Sequence, residues 1–221
     1  MDSLTIHNQT VRPSRKADKA IIRRRVLKAA NIAFRTKGIK AVRMDDLAAE
    51  LSISKRTIYQ LFHDKEELLF EIVKKNAEEI KAYLSEVGEH AENVLVVVFK
   101  FYQQNMEQLN SINVKFLEDL ERYPRILKYI KSIKKENSKY VDQFYQEGVN
   151  QGLFIPNVKF RIITVMFDEQ MENVLHSDLL QTYTLTDIYK TVLMALLRGA
   201  CTAKGVKLID DYFSNSPENF N

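Results

Sequence analysis

The chain has 221 residues, 45% of them hydrophobic and 28% charged, with a formal net charge of +4; this is ordinary for a soluble globular protein large enough to hold a real core. One cysteine excludes an internal disulfide framework and suits a reducing cytoplasm, the expected location. The longest wholly apolar run, Val94 to Phe99, is far short of the ~20 residues that a membrane span needs, and the first residues lack the basic-then-apolar pattern of a signal peptide.

Six glycines and four prolines, with few alternating β-branched runs, point to an all-α fold. Charge is unevenly placed. Arg12 to Lys65 holds fifteen Lys/Arg against five Asp/Glu, whereas Glu66 to Asn221 is net −5. A basic N-terminal third on an acidic body is the asymmetry of a chain that meets nucleic acid at one end.

Residues 1–17 are polar and aperiodic and are expected to form a mobile basic arm, in which Arg12, Arg15 and Lys16 are the cations. The first helix is predicted from Asp18 or Lys19 to Lys37, with Ile22, Val26, Ala29, Ala30 and Ala33 at helical spacing and Gly38 as the stop. Arg23, Arg24 and Arg25 near its start are positioned for phosphates. A second helix opens near Arg43 or Met44 and carries an apolar stripe of Met44, Leu47, Ala48 and Leu51.

A turn at Ser52 to Ser54 then leads into a short third helix, for which Ser54 is the predicted cap. Ile58, Leu61 and Phe62 form its apolar edge. Its other face carries Lys55, Arg56, Tyr59 and Gln60, where Lys55/Tyr59 and Arg56/Gln60 are i,i+4 pairs. Cationic, phenolic and amide groups projecting together from a short helix suit phosphates and base edges. The expected unit is a helix-turn-helix over about 41–60 within a domain of 18–66.

Asp64 and Glu67 have capping-box spacing ahead of a fourth helix that extends to about Glu86. Lys65 in its first turn opposes the helix dipole, which a nearby phosphate explains.

From residue 19 to about 69 the chain resembles the DNA-binding domain of the TetR (tetracycline-repressor-like) family of bacterial transcriptional regulators. The residues that carry the resemblance are Phe34, Gly38, Leu47-Ala48, Ile53-Ser54-Lys55, Thr57-Ile58-Tyr59, Phe62 and Lys65-Glu66-Glu67-Leu68-Leu69. It implies DNA contacts at Arg43, Ser54, Lys55, Arg56, Thr57, Tyr59, Gln60 and Lys65. Arg56, Tyr59 and Gln60 then meet base edges, while Arg43, Lys55, Thr57 and Lys65 hold phosphates. Three positions depart from the family pattern: Arg43 replaces a common Thr, Ser52 the usual turn Gly, and Arg56 a frequent Gly.

Residues 67–205 read as a helical ligand-binding and dimerisation domain, and 206–221 as a C-terminal tail. Helices are predicted over about 93–110, 113–122 and 125–149, with Pro124 suited to a first turn and Gly148 and Gly152 marking the end of the last. The last two strong helices, about 158–180 and 187–203, are apolar on more than one face, and a second copy of the chain is the simplest partner for the extra face. Gly152-Leu-Phe154 and Leu197-Arg-Gly199 look like family landmarks there. Cys201 is placed in the last long helix.

The resemblance further implies a small-molecule effector in the body, and Phe99, Tyr102, Met106, Phe116, Tyr123, Phe144 and Met166 are the side chains available to line its pocket. The partners expected are therefore a double-stranded DNA operator, a second copy of the chain and an effector, with no membrane and no cofactor. Two rivals are weaker. One is a DNA-binding or architectural protein without effector; the other is a carboxylate metalloenzyme using Glu118, Asp119, Glu121, Asp168, Glu169, Glu172 and His176, which lacks the paired Glu-x-x-His spacing of di-iron bundles. No nucleophile elbow, P-loop or dinucleotide fingerprint is present, so the chain is expected not to be an enzyme.

Overall fold

The computed structural model describes residues 15–215; residues 1–14 of the expected arm and the chain beyond 215 lie outside them, while residues 15–17, expected in that arm, form the start of the first helix. Ten α-helices account for the described fold. The basic N-terminal part, the head, contains α1 (Arg15–Lys37), α2 (Met44–Glu50), α3 (Lys55–Leu61) and the start of α4 (Lys65–His90). The body contains α5 (Val94–Asn110), α6 (Val114–Leu120), α7 (Pro124–Asn150), α8 (Phe160–Asn173), α9 (Leu185–Ala200) and α10 (Ala203–Asn215).

Local chemistry sets most of these boundaries. Ser54, Asp64, Asn93, Asn113 and Thr184 each accept a hydrogen bond from a backbone N–H in the first turn of their helix, satisfying donors the helix itself leaves open. Pro124 opens α7, where its missing N–H costs nothing. At Asp64 the box is displaced by one residue: Glu67 N–H donates to Asp64, but the Glu67 carboxylate accepts from His63 N–H. Thr184 and Asp187 form the complete reciprocal box.

Two helices end in the same way. After α2, Ile53 N–H reaches Ala48 O and Ser52 N–H reaches Ala49 O; after α7, Leu153 N–H reaches Gly148 O and Gly152 N–H reaches Val149 O. Both are Schellman motifs, which need a left-handed residue just past the cap. Gly152 supplies it at φ 70 and Ser52 at φ 54.

The head's core gathers Val26, Ala30 and Phe34 of α1 with Leu47 and Ala48 of α2, Ile58 of α3, Phe62, and Leu68 and Leu69 of α4. It continues past residue 66 through Ile72 and takes in Ile126 from α7, with Phe116, Leu120 and Tyr123 packed against it. Head and body thus share apolar contacts. The body's core joins α5, α9 and α10 around Leu95, Phe99, Tyr102, Leu197 and Ile209.

Four expectations need correction. The helix predicted over 158–180 ends at Asn173, and 3-10 turns follow at Val174–His176 and Asp178–Gln181; Ser177 is extended, and its hydroxyl donates to Val174 O instead of allowing another α-turn. Residues 206–215 are not tail but part of α10, held because Ile209 and Phe213 are buried in the body core. Cys201 is not inside α9. It is the extended cap residue, paired with Phe154 in an isolated antiparallel bridge. Gly148 does not mark the end of α7 but lies inside its last turn, with only Gly152 beyond it.

Candidate nucleic-acid interface

α3 is held from behind and exposed in front. Ile58 is fully buried, while Lys55, Arg56, Tyr59 and Gln60 are exposed. Tyr59 retains 48% of its surface, so its ring is not a packing element of the head. The first turn is locked by Ser54: its Oγ accepts from Thr57 N–H at 3.0 Å and lies 2.8 Å from Thr57 Oγ1. Ser54 and Thr57 therefore position this helix whatever else they touch.

Each cation of the head has a distinct setting. Lys55 Nζ meets Asp45 Oδ2 of α2 at 2.6 Å, and that carboxylate raises its pKa first by hydrogen bonding and then by charge. Arg43 is the exposed residue preceding α2, with no side-chain capping bond. Lys65 Nζ donates to Ile39 O at 2.9 Å and to Lys40 O at 3.4 Å, tying α4 to the α1–α2 turn. Burial lowers the Lys65 pKa, Asp119 opposes that shift, and Arg43 adds to it. The cation that opposes the α4 dipole thus has an intramolecular reason for its place, where its position in the sequence suggested a phosphate.

The Arg23–Arg25 run divides similarly. Arg23 pairs with Glu71 at 2.7 Å and lies 5.0 Å from the Phe62 ring centroid, a cation–π contact that braces α4. Arg25 Nη2 donates to Leu51 O at 3.2 Å, holding the turn before α3. Arg24 remains exposed.

The seven side chains expected to line an effector pocket are not brought together. Phe99, Tyr102, Met106 and Phe144 pack in the body core, whereas Phe116 and Tyr123 pack against the head. Met166 is 48% exposed on α8 and cannot line an interior pocket in this chain alone. The body core does contain the Tyr189 hydroxyl, buried without a hydrogen-bond partner among the described residues; its ring faces Tyr102 and Phe167. Burial pushes its pKa well above the usual tyrosine range.

The carboxylates of the metalloenzyme rival are used otherwise. Lys134 bridges Asp168 at 3.1 Å and Glu172 at 3.2 Å, His176 meets Glu121 at 3.1 Å, and Asp119 accepts from Lys40 N–H at 2.7 Å. Among the described residues no group of three or more His, Cys, Asp or Glu is arranged to hold a metal.

Sequence reasoning missed the fastening of head to body. Asn113 N–H donates to Arg35 O at 2.7 Å, and Arg35 Nη2 donates to Gln108 O at 2.5 Å and Ser111 Oγ at 2.8 Å. Burial lowers the Arg35 pKa. Local spacing carries no signal for these pairs, which are more than seventy residues apart.

Residues 26–72, which span α2, α3 and most of the head core, match the family described as bacterial regulatory proteins, tetR family. The head is thus similar to the DNA-binding region of the TetR family. It is 33% identical over 124 residues to YhgD of Bacillus subtilis (strain 168), described as an uncharacterized HTH-type transcriptional regulator. That match spans 48% of this chain and 64% of YhgD. A TetR-family transcriptional regulator from Marinobacter aquaeolei VT8 superposes with TM-score 0.68 at 19% identity, over 86% of this chain and 98% of that one. A transcriptional regulator from Saccharomonospora viridis, solved in complex with choline, gives TM-score 0.65 at 15% identity, over 83% and 99%. These two likenesses show the TetR-type fold, a helix-turn-helix head on a helical body. No helix among the described residues is long and apolar enough to cross a membrane.

Proposed function

We propose that this chain is a TetR-family, sequence-specific DNA-binding transcriptional regulator of the cytoplasm, acting as a homodimeric repressor that a small-molecule effector releases from a palindromic operator. The observation that carries the reading is α3 itself. It is capped by Ser54, anchored by buried Ile58, and presents Lys55, Arg56, Tyr59 and Gln60 to solvent on a basic head. Arg56, Tyr59 and Gln60 are assigned to base edges, and Arg43, Lys55, Thr57 and Lys65 to phosphates. Lys55 exchanges Asp45 for a phosphate on binding, and Ser54 acts by holding the first turn.

A dimer is favoured by α8, whose Ile162, Val165 and Met166 are 58%, 47% and 48% exposed. On α9, Ala195 and Gly199 are exposed beside half-buried Leu196, so a neighbouring helix can approach closely. Two copies then set two α3 helices on half-sites about one turn, ~34 Å, apart. The buried Tyr189 hydroxyl supports an effector in the body, since a polar group left unpaired in a core is costly unless a ligand or water meets it.

The test is selection of bound duplexes from random DNA, repeated with the Gln60→Ala and Lys65→Ala chains. Inverted half-sites are expected, with Gln60→Ala changing preference at particular base pairs. Lys65→Ala should weaken binding to every duplex and reduce the salt slope by about one. A slope left unchanged by Lys65→Ala assigns Lys65 only to the carbonyls it holds, and selection of no common sequence defeats the proposal.

A further inference from the structure

Where head meets body, α1, α4 and α5 line a cleft of ≈ 410 Å³, outside the body core that contains four of the expected effector side chains. Its location decides its electrostatics. α1 ends at Lys37 and α5 at Asn110, so two helix C-termini converge there with their partial negative charge. Arg35 answers part of it by donating to Gln108 O, but the carboxylates of Glu79 and Glu107 also line the cleft. Glu79 pairs with Lys75 at 3.3 Å; Glu107 is exposed and has no ion pair or hydrogen bond among the described residues.

The second observation is an acceptor out of place. Gln104 lines the same cleft, and its Oε1 is buried without a hydrogen-bond partner among the described residues. A buried acceptor without a donor is destabilising, and the cost disappears when a ligand supplies an N–H. Ile32, 55% exposed, and Ile80 add apolar wall beside these groups. An anionic ligand is disfavoured by both carboxylates and both helix ends. A protonated amine on a short alkyl chain satisfies the Gln104 acceptor and the Glu107 carboxylate, while the Arg35 guanidinium that also lines the cleft is already engaged by Gln108 O and Ser111 Oγ.

We propose that the cleft between α1, α4 and α5 binds a small primary alkylamine or diamine. Its ammonium donates to Gln104 Oε1 and the Glu107 carboxylate, and its alkyl chain lies on Ile32 and Ile80. Because α1 belongs to the head and α5 to the body, an occupant that fits one angle between them better than another biases that angle. This coupling rests on the DNA-binding reading; binding of the amine does not.

Calorimetric titration of the whole chain, without DNA, tests the site with four probes: 1,4-diaminobutane, butylamine, butyltrimethylammonium and 1,4-butanediol. The two primary amines are expected to bind at one per chain, at least roughly tenfold more tightly than the quaternary ion, which has no N–H, or the diol, which has no charge. Gln104→Leu and Glu107→Gln should each weaken amine binding about tenfold, and Glu107→Lys should abolish it. Glu89→Gln, an exposed change far along α4, should leave it unchanged, and thermal melts of each variant show whether the fold is kept. Since Glu107 is exposed, its two variants remain informative if Gln104→Leu does not fold. Amines that bind no better than the diol, or that bind the Glu107→Lys chain as well as the original, overturn the proposal. Amine binding without any effect on operator affinity leaves the site standing and removes only the coupling.

Discussion

Ser52 carries a strained backbone for the sake of a turn. Its φ of 54 lies in the left-handed region, which costs a residue with a Cβ about 1–2 kcal/mol, yet both hydrogen bonds of the Schellman motif after α2 require it. A glycine at this position would relieve that cost while losing part of the gain to its freer unfolded chain. Ser52→Gly is therefore expected to stabilise the protein by up to about 1 kcal/mol in urea unfolding, with α3 left in place. Cys201 is a second residue whose behaviour follows from its surroundings. Burial pushes its thiol pKa from 9.0 up to about 11, against a smaller opposing effect of Arg198. At pH 8 the reactive thiolate is then roughly a hundredfold scarcer than for an exposed cysteine, so alkylation of the folded chain should be slower by that order until denaturant is added. The same shift has a sign for stability. The folded state holds the proton more tightly, so its contribution is complete below pH 9.0 and is lost as the pH rises through about 11.

At the scale of elements, the link between α7 and α8 depends on an absent side chain. Gly148 lies in the last turn of α7, and a Cβ there would fall 2.2 Å from Phe154 Cδ2 and 2.5 Å from Cε2. Phe154 cannot step aside. Its ring packs against both Tyr145 and Phe160, with centroids 5.5 and 5.3 Å away, and its backbone pairs with Cys201. Ile155 N–H to Ala200 O and Thr202 N–H to Leu153 O, both 2.9 Å, clamp this link to the α9–α10 junction. Gly148→Ala should cost about 3 kcal/mol by overpacking, measured as a lower urea midpoint at unchanged slope. Motifs in this region were legible as landmarks, Gly152-Leu-Phe154 and Leu197-Arg-Gly199, but the contact between Gly148 and Phe154 was not. A ring folding back on a helix six residues earlier has no signature in hydrophobic periodicity.

At the scale of the whole molecule, two surfaces remain to be matched to partners: α3 on the head and α8 with α9 on the body. On α8, Ile162, Val165 and Met166 form an outward apolar patch that no other described element covers. Met166→Glu is expected to convert a dimer to a monomer in sedimentation at micromolar concentration, with little change in the helical signal, because the side chain is half exposed within one chain. A wild-type chain that sediments as a monomer ends the dimer proposal. Between the two surfaces, Arg35, Asn113, Asp119 and Lys40 fasten head to body through hydrogen bonds to backbone groups. These bonds and the shared packing around Ile126 are the contacts through which the proposed effector would act on the head.

The amino-acid sequence by itself determined the helical class, the capped third helix and its outward face. Those features depend on residues three or four positions apart: Ser54 with Thr57, Ile58 with Phe62, Lys55 with Tyr59. The same short range explains why α1 to α7 begin and end near their predicted places. Tertiary structure decided what each side chain is for once several uses compete. Lys65 and Arg25 turn to backbone carbonyls 26 residues away, and Arg23 to Glu71 at a separation of 48. It also ended α8 early, folded residues 206–215 into a helix against the core, and set Met166 outside that core. Each of these depends on a partner distant along the chain, and a sequence pattern records only that an apolar or charged residue needs one.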